Sequence, residues 1–401
     1  MRDILTSIAK WWDAGETFGL ATVVRTFSSA PREPGAALAV SAAGEVVGSV
    51  SGGCVEGAVY ELAGEVIPSG QAVLQTYGIS DDDAFAVGLT CGGIIDIFVE
   101  PVSRELFGEL GEIAAAVRAG EPVAVATVIA GPGKIGARRV IWGADDDAAA
   151  DGAAGSSAAG SSAAGNGAAG NGAAGNADRL ASGTLGSGDR LDQAVDDDAR
   201  GMLAQGLTAV RRYGPDGERR RNELSVFVQS FAPPPMMLVF GAIDFAAAVA
   251  RAGKFLGYRV TVCDARPVFA TAARFPDADE VVTDWPHRYL AGVSTDARTV
   301  ICVLTHDPKF DVPLLEVALR TPAAYIGAMG SRRTHDDRLA RLREVGMTEE
   351  ELARLRSPIG LDLGARTPEE TAVAIAAELI QLRWGGSGQP LTATTGRIHH
   401  R

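Results

Sequence analysis

Two cysteines of this chain each lie beside a pair of glycines, a combination that can place a thiol among backbone N–H donors. Cys54 follows Gly52 and Gly53, and Cys91 precedes Gly92-Gly93. An apolar strand is predicted before the first turn and apolar residues at helical spacing after it, so we expect Cys54 in the first turn of a helix. The unpaired N–H groups and the dipole at a helix start attract anions and favour a thiolate.

If the two turns face one another, they form a pocket of backbone donors and soft sulfur atoms. The candidate cofactor-binding residues of this pocket are Gly52, Gly53, Cys54, Glu56, Cys91, Gly92 and Gly93. The alternative is a tight strand-to-helix turn in which Cys54 is a small buried side chain that fills a gap, and spacing alone does not separate the two.

Length and composition exclude several classes of protein. The 401 residues suggest two domains or more, and a net charge of −13 argues against nucleic acid as a partner, because phosphate binding needs a basic face. Four scattered cysteines form neither a disulfide framework nor a zinc motif. We expect no signal peptide and no membrane span, and therefore a cytoplasmic protein with reduced thiols.

The predicted fold class is α/β, with a mixed α+β N-terminal domain followed by a Rossmann-like, doubly wound C-terminal domain. The N-terminal domain spans 1–232 and contains an Ala-, Gly-, Ser- and Asn-rich segment at about 144–188, which we interpret as a disordered insertion. Two strands after the insertion are predicted to return to the first sheet. A proline-rich linker then leads to the second domain at 233–385, and we expect 386–401 to be a disordered tail.

The second domain opens with the order of elements that binds dinucleotides. A strand, a turn at Gly241, a helix and a second strand ending at Asp264 match the first βαβ unit of such a fold, and Asp264 could hold a ribose hydroxyl. Ile243 stands where the fingerprint requires the second glycine, which lets the pyrophosphate approach the backbone. The layout therefore favours a Rossmann-like fold and argues against ordinary NAD(P) binding.

Further candidates follow two later strands, at the carboxyl edge where open α/β sheets bind ligands. His306 and Asp307 come after an apolar strand, and Ser331 and Arg332 follow the next one. Ser331 is a plausible N-cap, and an arginine in the first turn opposes the helix dipole, which suggests an anionic ligand. The alternative is a helix start with solvated side chains.

Taken together and in order, the motifs resemble the XdhC/CoxI family of molybdenum-enzyme accessory proteins. They are SGGCVEGAV, GLTCGGIIDIFVEP, the βαβ start at 238–264, LTHD, YIGAMGSRR and SPIGLDLGARTPEETAVAIAAEL. The resemblance covers both domains but neither the insertion nor the tail. Family members that we regard as typical read G-A-G-H or G-A-G-D at the βαβ turn, where this chain has Gly241-Ala242-Ile243-Asp244, and this departure puts a nucleotide role in doubt.

The resemblance implies a cytosolic chaperone that binds molybdenum cofactor, protects it during sulfuration and helps to insert it into a xanthine dehydrogenase or carbon monoxide dehydrogenase type apoenzyme. It further implies a homodimer, a cysteine desulfurase among the partners, and Cys54 as either a metal ligand or a sulfur relay. No catalytic residue is predicted. Two alternatives stay open: an NAD(P)-dependent oxidoreductase that uses the βαβ unit with His306 and Asp307, and a scaffold that does not bind cofactor.

Overall fold

The computed structural model describes residues 1–27, 32–78, 93–143, 181–395 and 398. Within these residues the chain forms two compact units, Met1–Pro233 and Pro234–Arg401, which we call the first and the second unit. The division lies within the proline-rich segment, beside the boundary expected between 232 and 233.

The first unit contains four helices and ten strands in its described part. In chain order they are α1 (Leu5–Asp13), β1 (Phe18–Phe27), β2 (Ala37–Ser41), β3 (Val46–Gly48), α2 (Glu56–Ser69), β4 (Val73–Tyr77), β5 (Ile94–Val102), α3 (Leu110–Ala119), β6 (Val123–Ala130), β7 (Arg138–Trp142), β8 (Ala181–Gly183), α4 (Asp189–Gln205), β9 (Ala209–Tyr213) and β10 (Leu224–Phe231).

These strands form two antiparallel sheets, in the orders β3-β2-β1-β5-β4 and β8-β7-β6-β10-β9. The expectation that the last strands return to the first sheet is therefore wrong, because β9 and β10 pair with β6. The apolar faces of α2 and α4 each pack on one sheet, and residues of both sheets share a core with α1 and α3.

The two sheets are copies of one arrangement, since each half reads helix, three strands, helix, two strands and has the same strand order. The hydrogen bonds repeat as well. Val23 N donates to Ala36 O at 2.9 Å in the first half, and Val128 N donates to Ala137 O at 3.0 Å in the second. Ala21–Val24 also recurs as Ala126–Ile129. The first unit is thus an internal duplication, which the sequence analysis missed.

Contacts between the halves are reciprocal, as they are across a twofold axis. In one direction the Gly35 carbonyl accepts from Gln229 Nε2 at 3.2 Å. In the other, the equivalent Gly136 lies against Glu100, whose position in β5 corresponds to that of Gln229 in β10. The halves therefore associate like the two members of a symmetric dimer.

Two further expectations need correction. The insertion expected at 144–188 ends earlier, because β8 begins at Ala181 and pairs with β7, which the sequence analysis did not predict. The remainder of the predicted insertion, 144–180, lies outside the described residues. The tail expected to be disordered at 386–401 contains one 3-10 turn, Leu391–Ala393.

The second unit contains one parallel sheet with helices on both faces. Its elements are β11 (Met236–Phe240), α5 (Asp244–Phe255), β12 (Arg259–Asp264), β13 (Glu280–Thr283), α6 (Pro286–Ala291), β14 (Val300–Val303), α7 (Pro308–Ala318), β15 (Tyr325–Ala328), α8 (Arg332–Glu344), α9 (Glu349–Leu352), β16 (Leu355–Arg356) and α10 (Pro368–Trp384).

The strand order β13-β12-β11-β14-β15-β16 is the doubly wound order of dinucleotide-binding folds, with every neighbouring pair parallel. Side chains of β11 alternate between the two faces: Met237 and Val239 pack with α5 and α10, and Leu238 and Phe240 pack with α7 and α8. The predicted fold class is confirmed. All six strands deliver the residues that follow them to one edge, which we call the carboxyl edge.

Candidate functional site

Cys54 lies in the loop between β3 and α2, which we call the Cys54 loop (residues 49–55). Val50 and Val55 are fully buried and anchor its two ends in the core under α2. Between them, Gly52 and Gly53 have φ angles of +79° and +117°, which other residues rarely adopt, so the glycines are required for the turn. Cys54 is half-buried and precedes the helix, which begins at Glu56 rather than at the cysteine as we expected.

The carboxylate of Glu56 is the centre of this loop. Its two oxygens accept hydrogen bonds from four backbone N–H groups and two hydroxyls of the residues just before it. These are Ser49 Oγ (2.7 Å), Val50 N (3.3 Å), Ser51 N (2.9 Å), Gly52 N (2.9 Å), Gly53 N (2.7 Å) and Ser51 Oγ. Burial alone would raise the pKa of the Glu56 carboxyl, but the hydrogen bonds from Ser51, Ser49 and Gly53 lower it to about 2.

The anion that the sequence predicts at this turn is therefore part of the chain. We expected the N–H groups of the Gly52-Gly53 turn to be open to a ligand, and this is wrong because Glu56 accepts from them. The next two N–H groups, of Cys54 and Val55, donate to Ser51 Oγ at 3.0 Å each. The loop is thus saturated from within and presents the Cys54 side chain on a fixed backbone.

The second glycine-cysteine turn lies mostly outside the part of the chain that the structure describes. Cys91 and Gly92 are not among the described residues, and Gly93 is buried immediately before β5. The pocket of two facing turns therefore stays a prediction.

In the second unit, the turn after β11 is narrow. Gly241 has a φ of +108°, and a side chain there would meet the backbone N of Thr305 at 3.0 Å, so the ends of β11 and β14 approach closely only because residue 241 is glycine. Ile243 is half-buried and packs against the core beside α5. An isoleucine side chain thus stands where the fingerprint glycine would leave room for a pyrophosphate.

Asp264 is at the carboxyl edge, as predicted, but its carboxylate is 3% exposed and bonded on both oxygens. Oδ2 accepts from Ala242 N at 2.7 Å and Arg266 Nη2 at 2.8 Å, and Oδ1 accepts from the backbone and side chain of Arg266. Burial would raise the pKa of Asp264, but these hydrogen bonds outweigh it and lower the pKa. Asp264 therefore braces the turn after β11 in the position where we expected a ribose ligand.

The other predicted residues of this edge begin helices. Asp307 caps α7, accepting from Lys309 N at 3.1 Å, and it pairs with the Lys309 ammonium at 2.9 Å. Ser331 caps α8 by accepting from Thr334 N at 3.1 Å. His306 and Arg332 have exposed side chains. The parallel sheet thus brings Gly241, Asp264, His306, Asp307, Ser331 and Arg332 to one edge, and two of them are occupied as caps.

A buried ion pair beneath this edge was not predicted. Arg338 on α8 and Asp311 on α7 are 3% and 4% exposed, and Arg338 Nη2 donates to Asp311 Oδ2 at 2.9 Å. Arg338 also donates to Met329 O and to Ser357 Oγ, and Thr305 donates to the other oxygen of Asp311. The only available signal was a charged residue on the apolar side of each helix.

Neither a multi-ligand metal site nor a membrane span is evident in the described ranges. No three His, Cys, Asp or Glu side chains within them converge as metal ligands would. No helix within them is both long and apolar enough to cross a bilayer.

Both units contain segments that match known protein families. Residues 11–78 match the XdhC and CoxI family, and residues 237–379 match the XdhC Rossmann domain. The chain is 26% identical over 366 residues to a Bacillus subtilis (strain 168) protein named as a probable xanthine dehydrogenase component, covering 91% of this chain and 92% of that protein. It is 28% identical over 169 residues to the molybdenum cofactor insertion chaperone PaoD of Escherichia coli K12, covering 42% of this chain and 46% of that one.

The fold also matches a solved structure over its whole length. A crystal structure described as a xanthine dehydrogenase from Bacillus halodurans superposes with a TM-score of 0.64 at 22% identity, covering 98% of this chain and 97% of that one. Two family matches in separate units and a relative aligned along nearly the whole chain confirm the resemblance drawn from the motifs. The chain belongs to the XdhC and CoxI family.

Proposed function

We propose that this protein is a carrier of molybdenum cofactor that uses Cys54 to hold the cofactor or its sulfur. The observation that supports this most directly is the Cys54 loop, in which a half-buried thiol stands on a backbone fixed by Glu56. A relative named as a molybdenum cofactor insertion chaperone supports the choice of cargo.

The donor set of the Cys54 loop fits one part of this cofactor. A thiolate suits a soft metal that brings its own sulfur ligands, and Cys54 would supply such a thiolate. The terminal phosphate of a molybdopterin does not fit the N–H groups of the same loop, since they donate to Glu56. When bound, the cofactor supplies the molybdenum-dithiolene centre, and the chain supplies the thiol and its placement.

The wider role that we propose is to protect the cofactor, assist its sulfuration and deliver it to a xanthine dehydrogenase or carbon monoxide dehydrogenase type apoenzyme. We propose a cytoplasmic homodimer with the apo-molybdoenzyme and a cysteine desulfurase as partners. Within the second unit, the exposed edge residues His306 and Arg332 are the proposed contacts for an anionic ligand.

Cofactor retention tests the proposal. Purified protein is incubated with molybdenum cofactor and desalted, and molybdenum and pterin are measured in the protein fraction. We expect wild type to retain both, and Cys54→Ser to lose the molybdenum. Cys263→Ser is the matched control, because Cys263 is buried at the end of β12 and burial raises the pKa of its thiol to about 12. Failure of wild type to retain cofactor would contradict the proposal.

The oxidoreductase alternative requires the second unit to bind a dinucleotide. Ile243 and the saturated Asp264 carboxylate oppose a dinucleotide at the turn after β11. A calorimetric titration with NAD(H) and NADP(H) is therefore expected to show no binding. Binding that is lost in Asp264→Ala would favour the oxidoreductase.

A further inference from the structure

Glu56 differs from the polar residues of the Cys54 loop that precede it, because the backbone N–H groups of that loop converge on its carboxylate. Its Oε1 atom accepts from Ser51 N and Gly52 N, both at 2.9 Å, and its Oε2 atom accepts from Gly53 N at 2.7 Å. A carboxylate that receives several N–H bonds is held strongly, and the N–H groups converge only while the anion is present. The conformation of the loop therefore depends on the negative charge of the Glu56 carboxylate.

The internal duplication supplies an independent comparison. Gly48 and Gly183 both end an edge strand with positive φ, and Asp192, in the first turn of α4, takes the place that Glu56 has in α2. Its Oδ1 atom accepts from Leu185 N at 2.9 Å, and Leu185 is fully buried as Val50 is. The second half therefore keeps a carboxylate that holds the loop, although it has no cysteine there.

The surroundings of the two carboxylates differ in charge. Asp192 lies 3.5 Å from the guanidinium of Arg139. The position of Arg139 in β7 corresponds to that of Leu38 in β2, so the first half has an apolar residue in place of the arginine. In the first half, the Glu56 carboxylate is instead held by backbone N–H groups and serine hydroxyls of the loop that contains Cys54.

We propose that Glu56 is a positioning residue, whose carboxylate occupies the anion site of the Cys54 loop and thereby sets the exposure of the Cys54 thiol. One consequence of this inference rests on the proposed function: the phosphate of the cofactor binds elsewhere, and the loop contributes only the thiol. The rest concerns the protein without cofactor.

The rate of alkylation of Cys54 by iodoacetamide tests this without any cofactor. Peptide mass spectrometry separates Cys54 from Cys91, and Cys263 and Cys302 are buried. In Glu56→Ala the loop loses the anion on which its N–H groups converge, so its backbone is no longer held and the thiol becomes more accessible. We expect Cys54 to react about tenfold faster, equivalent to about 1.4 kcal/mol.

Rescue by a small carboxylate distinguishes positioning from general destabilisation. Formate or acetate fits the space that the Glu56 side chain leaves in Glu56→Ala, and we expect either ion to restore slow alkylation, with chloride at equal ionic strength as the control. Asp192→Ala is the matched variant: it removes the equivalent carboxylate and is expected to leave the Cys54 rate unchanged. Equal acceleration in both variants, or no response to formate, would overturn the proposal.

Wild-type protein provides a measurement that does not depend on whether a variant folds. Because Glu56 occupies the donors, inorganic phosphate is expected to give Cys54 no protection from alkylation, and protection would contradict the proposal. If wild type retains no molybdenum cofactor while these alkylation results hold, the proposed function fails and the role of Glu56 stands. If cofactor is retained and Cys54 of Glu56→Ala is alkylated at the wild-type rate, the proposed function stands and the role of Glu56 fails.

Discussion

The buried carboxylate of Asp264 joins the end of β12 to the turn after β11. The βαβ pattern places an acidic residue at the end of β12, and the structure has it there. Pattern alone does not reveal that Arg266 and the N–H of Ala242 take both carboxylate oxygens. The bonds depend on the path of the chain after β12, which no spacing rule contains.

The lowered pKa of Asp264 gives a pH dependence with a defined sign. A carboxyl whose pKa is lower in the folded state stabilises the fold above its unfolded pKa of about 3.9, and this contribution is lost as the pH falls through the folded value. We therefore expect the difference in unfolding free energy between wild type and Asp264→Asn to be constant near neutral pH and to shrink in acid. Urea unfolding at a series of pH values measures it.

The control for this experiment is Asp244→Asn. Asp244 is 87% exposed and lies 3.3 Å from Arg274, so its removal is expected to change stability little at any pH. An Asp264→Asn difference that does not diminish in acid would show that the carboxylate acts through shape and not through charge.

At the level of elements, hydrophobic runs were predicted well and polar contacts were not. β11 and β14 consist of continuous apolar residues and were predicted, whereas β4 and β7 carry polar or charged residues and were missed. The helix cap at Ser331 was visible because its side chain bonds within its own turn. The pair of Arg338 and Asp311 was not visible, because it joins two helices.

That pair gives a prediction for the packing of α7 against α8. Arg338→Met leaves the Asp311 carboxylate buried without its cation, and burial already raises the pKa of that group. Removing one partner of a buried ion pair costs about 3–5 kcal/mol. We expect a loss of that size in urea unfolding, accompanied by faster hydrogen exchange at the start of α8.

The double variant Arg338→Met with Asp311→Leu serves as the comparison. With both charges gone, no buried charge of the pair lacks its partner, so most of the lost stability is expected to return. If the double variant is less stable than the single one, Asp311 contributes through its hydrogen bond from Thr305 and not through its pairing with the Arg338 charge.

At the level of the whole molecule, the duplication explains where the long Ala- and Gly-rich segment can be tolerated. Residues 143–180 join β7 to β8, which are antiparallel neighbours, and the equivalent strands β2 and β3 are joined by residues 42–45. Composition indicates where the segment lies, but β8 begins at Ala181, before the end expected at about 188. The duplication itself stayed hidden because only short stretches such as Ala21–Val24 and Ala126–Ile129 still resemble each other.

Replacement of 144–179 by a short turn with the sequence of residues 42–45 should therefore preserve the fold. The entropy cost of closing a loop falls as the loop becomes shorter, and a roughly sixfold shorter loop stabilises the folded state by about 1.5 kcal/mol. Thermal unfolding and circular dichroism of the shortened chain measure this. Loss of the second sheet would mean that the segment takes part in the fold.

The reciprocal contacts at Gly35 and Gly136 have a consequence for how this protein came to carry the loop thiol in one half of its first unit and not in the other. Two like halves in one chain are what duplication and fusion of a single gene leave behind. Once fused, the halves share one fate in folding but mutate separately. The first half now has a cysteine in the loop that its carboxylate holds, and the second half has the carboxylate without the cysteine.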